Sequence, residues 1–192
     1  MKRIKEIVNK NLTGKKVLFL FVLTNLIYAI MLIVTIPKTM TFSKGMKLLD
    51  MMPTGYDSGY INSLFEALGE NGREVYLYSQ IPVDMIYPFL FGISYCLLFA
   101  YFLKKINKLN STFFYLSFLP IIAGIADYLE NLGIINMLNN YPNQSQISMD
   151  ATNIFSIIKS MTTTVFFVAM IITLLILGFK TIKKRKTNAN NG

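Results

Sequence analysis

FFYLSFLPIIAGIADYLENLGII, residues 113–135, is an almost wholly apolar run that ends in two carboxyls and a carboxamide. A hydrocarbon core about 30 Å thick needs roughly 20 helical residues to cross it, so the run is long enough to span a bilayer. A charge facing lipid at the bilayer centre costs about 2.5–3.5 kcal/mol. Asp127, Glu130 and Asn131 stand at i, i+3 and i+4, which places them on one helical face, and that face must turn towards other helices or an aqueous cavity. A span of this kind calls for a bundle around it.

The rest of the chain supplies one. Of 192 residues, 53% are hydrophobic and only 15% charged, and the apolar residues lie in long blocks between basic punctuation, which is the composition of an integral membrane protein. Further blocks at 17–36 (VLFLFVLTNLIYAIMLIVTI), 83–103 and 154–179 are long enough to cross. The predicted fold is all-α, a membrane four-helix bundle forming one domain over 1–192. MKRIKEIVNKNLTGKK before the first block looks like a secretory lead-in, but the block is too long for a signal-peptide core and ends in IPK with no small-residue cleavage site. It is read as a retained helix.

Basic residues predict the orientation, because lysine and arginine are retained on the cytoplasmic side. Lys2, Arg3, Lys5, Lys10, Lys15 and Lys16 precede the first span. Lys104, Lys105 and Lys108 lie between the second and third, and Lys180, Lys183, Lys184, Arg185 and Lys186 follow the fourth. These clusters hold fourteen of the 19 basic residues against one acid, Glu6. Both termini are therefore expected in the cytoplasm of a cell membrane. The +9 net charge lies in separate flanking clusters, so it indicates contact with anionic lipid at the cytoplasmic ends and no nucleic-acid partner. The tail 183–192 is expected to be disordered, and assembly into a homo-oligomer is left open.

The segment 37–82 is then an external loop. Within it GYINSLFEALGENG sets Ile61, Leu64, Phe65 and Leu68 at i, i+3, i+4 and i+7, with Asp57 or Ser58 to cap the start and Gly69 to end it. A short amphipathic helix is predicted, lying along the membrane surface or capping the bundle. NGREVYLYSQIPVDMIYPF follows and brings Arg73, Tyr76 and Gln80 towards the second span, which opens with Asp84.

Asp127 lies about 21 Å up the third span from residue 113 at 1.5 Å per residue, in the outer third of the bilayer, with Asp84 at a similar level. Pro120 can kink that span and loosen its backbone. Lys159 is the only basic residue deep in a span, at a depth matching Asp127 and Glu130, and intramembrane charges usually pair. The alternatives are that Lys159 snorkels to the interface, that Asp84 caps a first helical turn after Pro82, and that Asp127, Glu130 and Asn131 only bind helix to helix.

There is no histidine, and Cys96 is the single cysteine. Histidine-ligated zinc, a Ser-His-Asp triad and an intramolecular disulfide are excluded within this chain, no phosphate-binding glycine motif occurs, and neither a cofactor nor a resident metal is expected. LGENGREVYLYSQIPVDMIYPFLFGISY (68–95) followed by LPIIAGIADYLENLGI (119–134) resembles a set of uncharacterised bacterial small four-span membrane proteins with an LG-x-x-GR-x-x-Y…D stretch and an A-D-x-x-E-N stretch. That resemblance covers about a quarter of the chain. It implies a four-span topology and a shared polar site at Gly72, Arg73, Tyr76, Asp84, Asp127, Glu130 and Asn131, without an activity.

The expected function is an outward-facing acidic pocket, formed with Lys159, that takes a cation, a cationic small molecule or a lipid headgroup. Two other classes stay open: a membrane enzyme using two carboxyls as acid and base on a lipid-like substrate, and an assembly subunit with no ligand. GIAD lacks the second glycine of the GxGD pattern of intramembrane aspartyl proteases, which argues against that chemistry.

Overall fold

The computed structural model describes residues 2–190, with side-chain surroundings for 3–183, and among the described residues it contains helices and no strand. Six helices organise the chain: α1 (Lys2–Asn11), α2 (Gly14–Met40), α3 (Ser58–Val75), α4 (Tyr87–Lys105), α5 (Leu119–Asn139) and α6 (Gln146–Asn190). Four helical stretches are long and apolar enough to cross a membrane: Gly14–Met40, Ser58–Lys105, Thr112–Asn139 and Gln146–Lys183. Helix α2 packs on α4, α4 on α5 and α5 on α6.

Each stretch is longer than the apolar run that marks it in the sequence, because helix formers continue past the hydrophobic boundary. The fourth begins at Gln146 instead of near 154, and α6 continues to Asn190. The tail expected to be disordered from 183 is thus helical up to its last two residues, Asn191 and Gly192, which lie outside the described residues. Its lysines and arginine suit the negative end of a helix dipole. The basic lead-in is likewise a helix: α1 buries Val8 and Leu12 against Ala100 and Phe114 and leaves Ile4 and Ile7 exposed among its lysines.

The three basic clusters meet at one end of the bundle. Lys104 donates to Asn9 Oδ1 at 2.8 Å, Lys180 donates to the Ile106 carbonyl at 2.8 Å, and Lys5 stands over the Phe114 ring. The opposite end is closed by a cap made of the segment 41–57 and α3. Asp57 caps α3 by accepting the Tyr60 N–H at 2.7 Å. Gly69, at φ 62° and ψ −175°, breaks the helix in a conformation side-chain-bearing residues rarely adopt. Between cap and break, Ile61, Leu64, Phe65 and Leu68 are buried against Leu48, Leu49, Ile134 and Met137. Each such side chain contributes about 1.5–3 kcal/mol relative to exposure, so the amphipathic helix is a lid built into the bundle's core.

Two prolines leave matching irregularities. Pro37 and Pro82 have no N–H to continue an i→i−4 ladder, and each is preceded by a π-turn, Met31–Thr35 and Tyr76–Gln80, in which Ile36 and Ile81 donate five residues back to Met31 and Tyr76. The two π-turns face each other through a hydrogen bond from the Thr35 hydroxyl to Gln80 Oε1. At the middle of the bundle Phe91, Tyr95, Phe99 and Phe166 form an aromatic core.

Close approach of α5 to its neighbours depends on glycine. A Cβ at Gly124 would lie 2.7 Å from the Pro88 carbonyl oxygen, and one at Gly133 would lie 2.0 Å from Thr152 Oγ1. Gly124→Ala should therefore act as an overpacking substitution, lowering stability by about 1–3 kcal/mol, while Gly178→Ala, whose Cβ meets nothing within 4 Å, should not. Thermal unfolding of the two purified variants in detergent checks this; equal melting temperatures would contradict the packing described.

Candidate functional site

The site begins with a charge placed among apolar helices. Lys159 Nζ on α6 is 3.3 Å from Asp127 Oδ1 and 2.5 Å from Glu130 Oε2 on α5. The contact to Asp127 is a hydrogen bond; that to Glu130 is a close ion pair without hydrogen-bond alignment. Both helices start further out than the apolar runs do. Lys159 is 13 residues into α6 and Asp127 is 12 from the end of α5, or about 20 and 18 Å along the two axes, so the levels coincide. Lys159 is paired and does not snorkel.

The cap reaches the same place from above. Tyr56 donates its hydroxyl to Glu130 Oε1 at 3.4 Å. Burial foremost, and then the neighbouring Glu130 carboxylate, pushes this hydroxyl above its ordinary range, which keeps it a donor. The Tyr56 N–H bonds Asn153 Oδ1 at 2.8 Å and Ser156 donates to the Met52 carbonyl at 3.5 Å, so two side chains of α6 pin the cap. Asp50 accepts from the Tyr76 hydroxyl at 2.8 Å and from Gln80 Nε2 at 3.1 Å. Through Gln80 this network continues to Thr35, tying the cap to both π-turns.

Beneath the cap lies a cavity of about 530 Å³, within the range of small-molecule sites. Asn25, Tyr28, Met31, Leu32 and Ile36 of α2 form one wall and Lys159, Ser160, Thr163, Thr164 and Phe167 of α6 the other. Asp50, Met51 and Pro53 cover it, and Asp84, Tyr87, Phe91, Tyr95, Ala123 and Asp127 form the floor. Asp84, only 3% exposed, has no salt bridge among the described residues, and its carboxylate accepts no hydrogen bond there. Deeper in, Tyr87 stacks on Tyr28 with ring centres 5.2 Å apart, and Tyr95 donates to Asn25 Oδ1 at 3.3 Å.

Of the residues singled out in the sequence, Asp84, Asp127 and Lys159 line this cavity. Glu130 is fully buried behind them as the second partner of Lys159. Tyr76 is 1% exposed and holds Asp50. Arg73 lies elsewhere: its guanidinium donates to the Phe65 carbonyl at 2.8 Å and stacks on Tyr141 with its carbon 4.2 Å from the ring centre. It closes the end of the α3 segment that Gly69 breaks. Asn131 is fully buried, is not part of the lining, and its amide atoms have no hydrogen-bond partner among the described residues. Sequence reading missed Asp50 and Tyr56. The signal for Asp50 is an acid between Leu48–Leu49 and Met51–Met52, an apolar setting no solvated loop requires.

Chemically, three carboxylates line the cavity and the one ammonium beside them is already doubly paired. That is a surface for a positively charged group. Among the described residues no group of three or more carboxylate, cysteine or histidine side chains gathers as metal ligands. No protein-family model matches the chain, and no curated protein or solved structure matches it either. The functional reading therefore rests on the geometry.

Removing one partner of a buried pair leaves a charge uncompensated and typically costs about 3–5 kcal/mol. Lys159→Met should lose stability on that scale, and the triple variant Lys159→Met, Asp127→Asn, Glu130→Gln should recover most of it. Melting temperatures of the single and triple variants check the coupling; strictly additive losses would show that the three groups do not interact.

Proposed function

We propose that this chain is a multi-pass membrane protein whose acidic cavity binds a positively charged group, carried by a free cation, a cationic small molecule or a lipid headgroup. The observation that supports it is Asp84: a buried carboxylate without an ionic or hydrogen-bonding partner costs several kcal/mol, and it faces a cavity large enough to admit one. Membrane insertion is supported by the outer faces of α2 and α6, where Leu18, Phe19, Ile33, Ile171 and Phe179 stand exposed far beyond what water tolerates as a contiguous patch.

With the basic end in the cytoplasm, the cap and cavity face outwards. Helix α1 then lies in the inner interface, Ile4 and Ile7 towards the acyl boundary and its lysines towards anionic headgroups. Carboxylates near one another also suit acid–base catalysis, but the described site offers neither a nucleophile nor an oxyanion donor set, so binding is the better supported reading.

Thermal stability in neutral-lipid nanodiscs tests the proposal with Na⁺ and alkylammonium ions as probes. Any protective ion should raise the melting temperature as RT ln(1 + [L]/Kd) prescribes, and Asp84→Asn should remove the effect while leaving the unliganded protein at least as stable. Protection that survives in Asp84→Asn, or its absence for every probe, would refute the proposal. For orientation, in a Cys96→Ser background, a cysteine at position 62 should be labelled by an impermeant maleimide in intact cells and one at position 107 should not; the reverse pattern would place the cavity on the cytoplasmic side.

A further inference from the structure

The cavity's shape restricts what its occupant can be, an inference that rests on the cation-binding reading. We infer that the occupant is a single-chain amphiphile with an ammonium head, which enters sideways from the lipid between α2 and α6. Three features carry this. First, the outer entrance is shut by the cap: Asp50 is held by Tyr76 and Gln80, and Tyr56 is held by Asn153 and Glu130. Second, the bundle is open at the side, because α2 packs on α4 and α6 on α5, while α2 and α6 flank the cavity without being packing partners. Leu32 and Phe167, which line the cavity from those two helices, are 46% and 40% exposed.

Third, the lining is polar at one end and aromatic along the other. Asp50, Asp84 and Asp127 lie under the cap, and from Asp84 the floor runs past Tyr87 and Phe91 to Tyr95. Those 11 residues correspond to about 16 Å of helix, and the aromatic core of Phe91, Phe99 and Phe166 closes the far end. A bare inorganic cation would leave this trough unfilled. An anionic head would meet three carboxylates, and Lys159 is not free to answer it. An ammonium at Asp84 with one alkyl chain laid along the aromatic floor satisfies both ends.

The test uses the full-length protein in neutral-lipid nanodiscs with dodecylammonium, methylammonium and dodecanol. Dodecylammonium should raise the melting temperature, methylammonium at equal concentration should do so at least tenfold more weakly in apparent affinity, and dodecanol should have no effect that depends on Asp84. Thr164→Trp, at the exposed lip of the cleft, should weaken dodecylammonium while Ile33→Trp, on the outward face of α2, should leave it unchanged. A dodecylammonium analogue with a diazirine in its tail should crosslink to α2 and α6 residues of the cleft. If methylammonium protects as well as dodecylammonium, the cavity binds a cation and the amphiphile inference fails alone. If no ammonium compound protects, or Asp84→Asn responds like the wild type, the cation-binding reading fails as well. Crosslinks confined to the outward faces, or equal effects of Thr164→Trp and Ile33→Trp, overturn lateral entry.

Discussion

A single ammonium buried among apolar helices must be neutralised, and the rest of this structure is arranged around how Lys159 is. Two carboxylates on one face of α5 meet it, and that requirement sets which faces of α5 and α6 oppose each other. Glycine then sets how close they come, since the Gly133 backbone lies where a side chain would strike Thr152. The pairing accounts for Asp127 and Glu130 but leaves Asp50 and Asp84 over. An excess of acid over base inside a bundle is a cost to folding, and its persistence around a cavity is what gives the cavity a purpose.

The cap is the second half of the design. A loop of 41–57 could have been solvated, yet Leu48, Leu49 and Tyr56 are buried and its polar groups reach down to α3, α5 and α6. It converts an open funnel at the end of the bundle into a roofed trough. The acids under that roof are shielded from bulk water, where a weakly hydrated charge gains more from a carboxylate than it would at the surface.

Much of this was legible in the sequence where a periodicity or a length carries the information. The four long helices follow from apolar runs and a fixed bilayer thickness, and the α3 lid follows from Ile61, Leu64, Phe65 and Leu68 with Asp57 before them and Gly69 after. The i, i+3 spacing of Asp127 and Glu130, with Lys159 at a matching depth, brings out the ion pair. What escaped depends on contacts distant in sequence. Asp50 is given its place by Tyr76 and Gln80, which no local pattern links to it. Arg73 and Tyr76 precede the second apolar run closely enough to suggest pocket residues, but the break at Gly69 turns Arg73 back onto Phe65 and Tyr141, and Tyr76 becomes a support for Asp50. Asn131 shares a face with Asp127 by spacing, yet it lies beyond the cavity's edge because that edge is drawn by α2 and the cap.

The π-turn at Tyr76–Gln80 acts as an angular clutch. One additional residue in a helical turn advances everything after it by about 100° of rotation and 1.5 Å of rise, so the face that α3 presents to the core and the face on which Asp84 stands are set independently. The lid can be seated by its own apolar stripe while Asp84 is aimed by the turn. Chain length through this short segment is consequently as much a determinant of the site as the identity of any acid in it: shortening it by one residue would restore a regular helix and swing the carboxylate away from its cavity with every side chain of the floor unchanged.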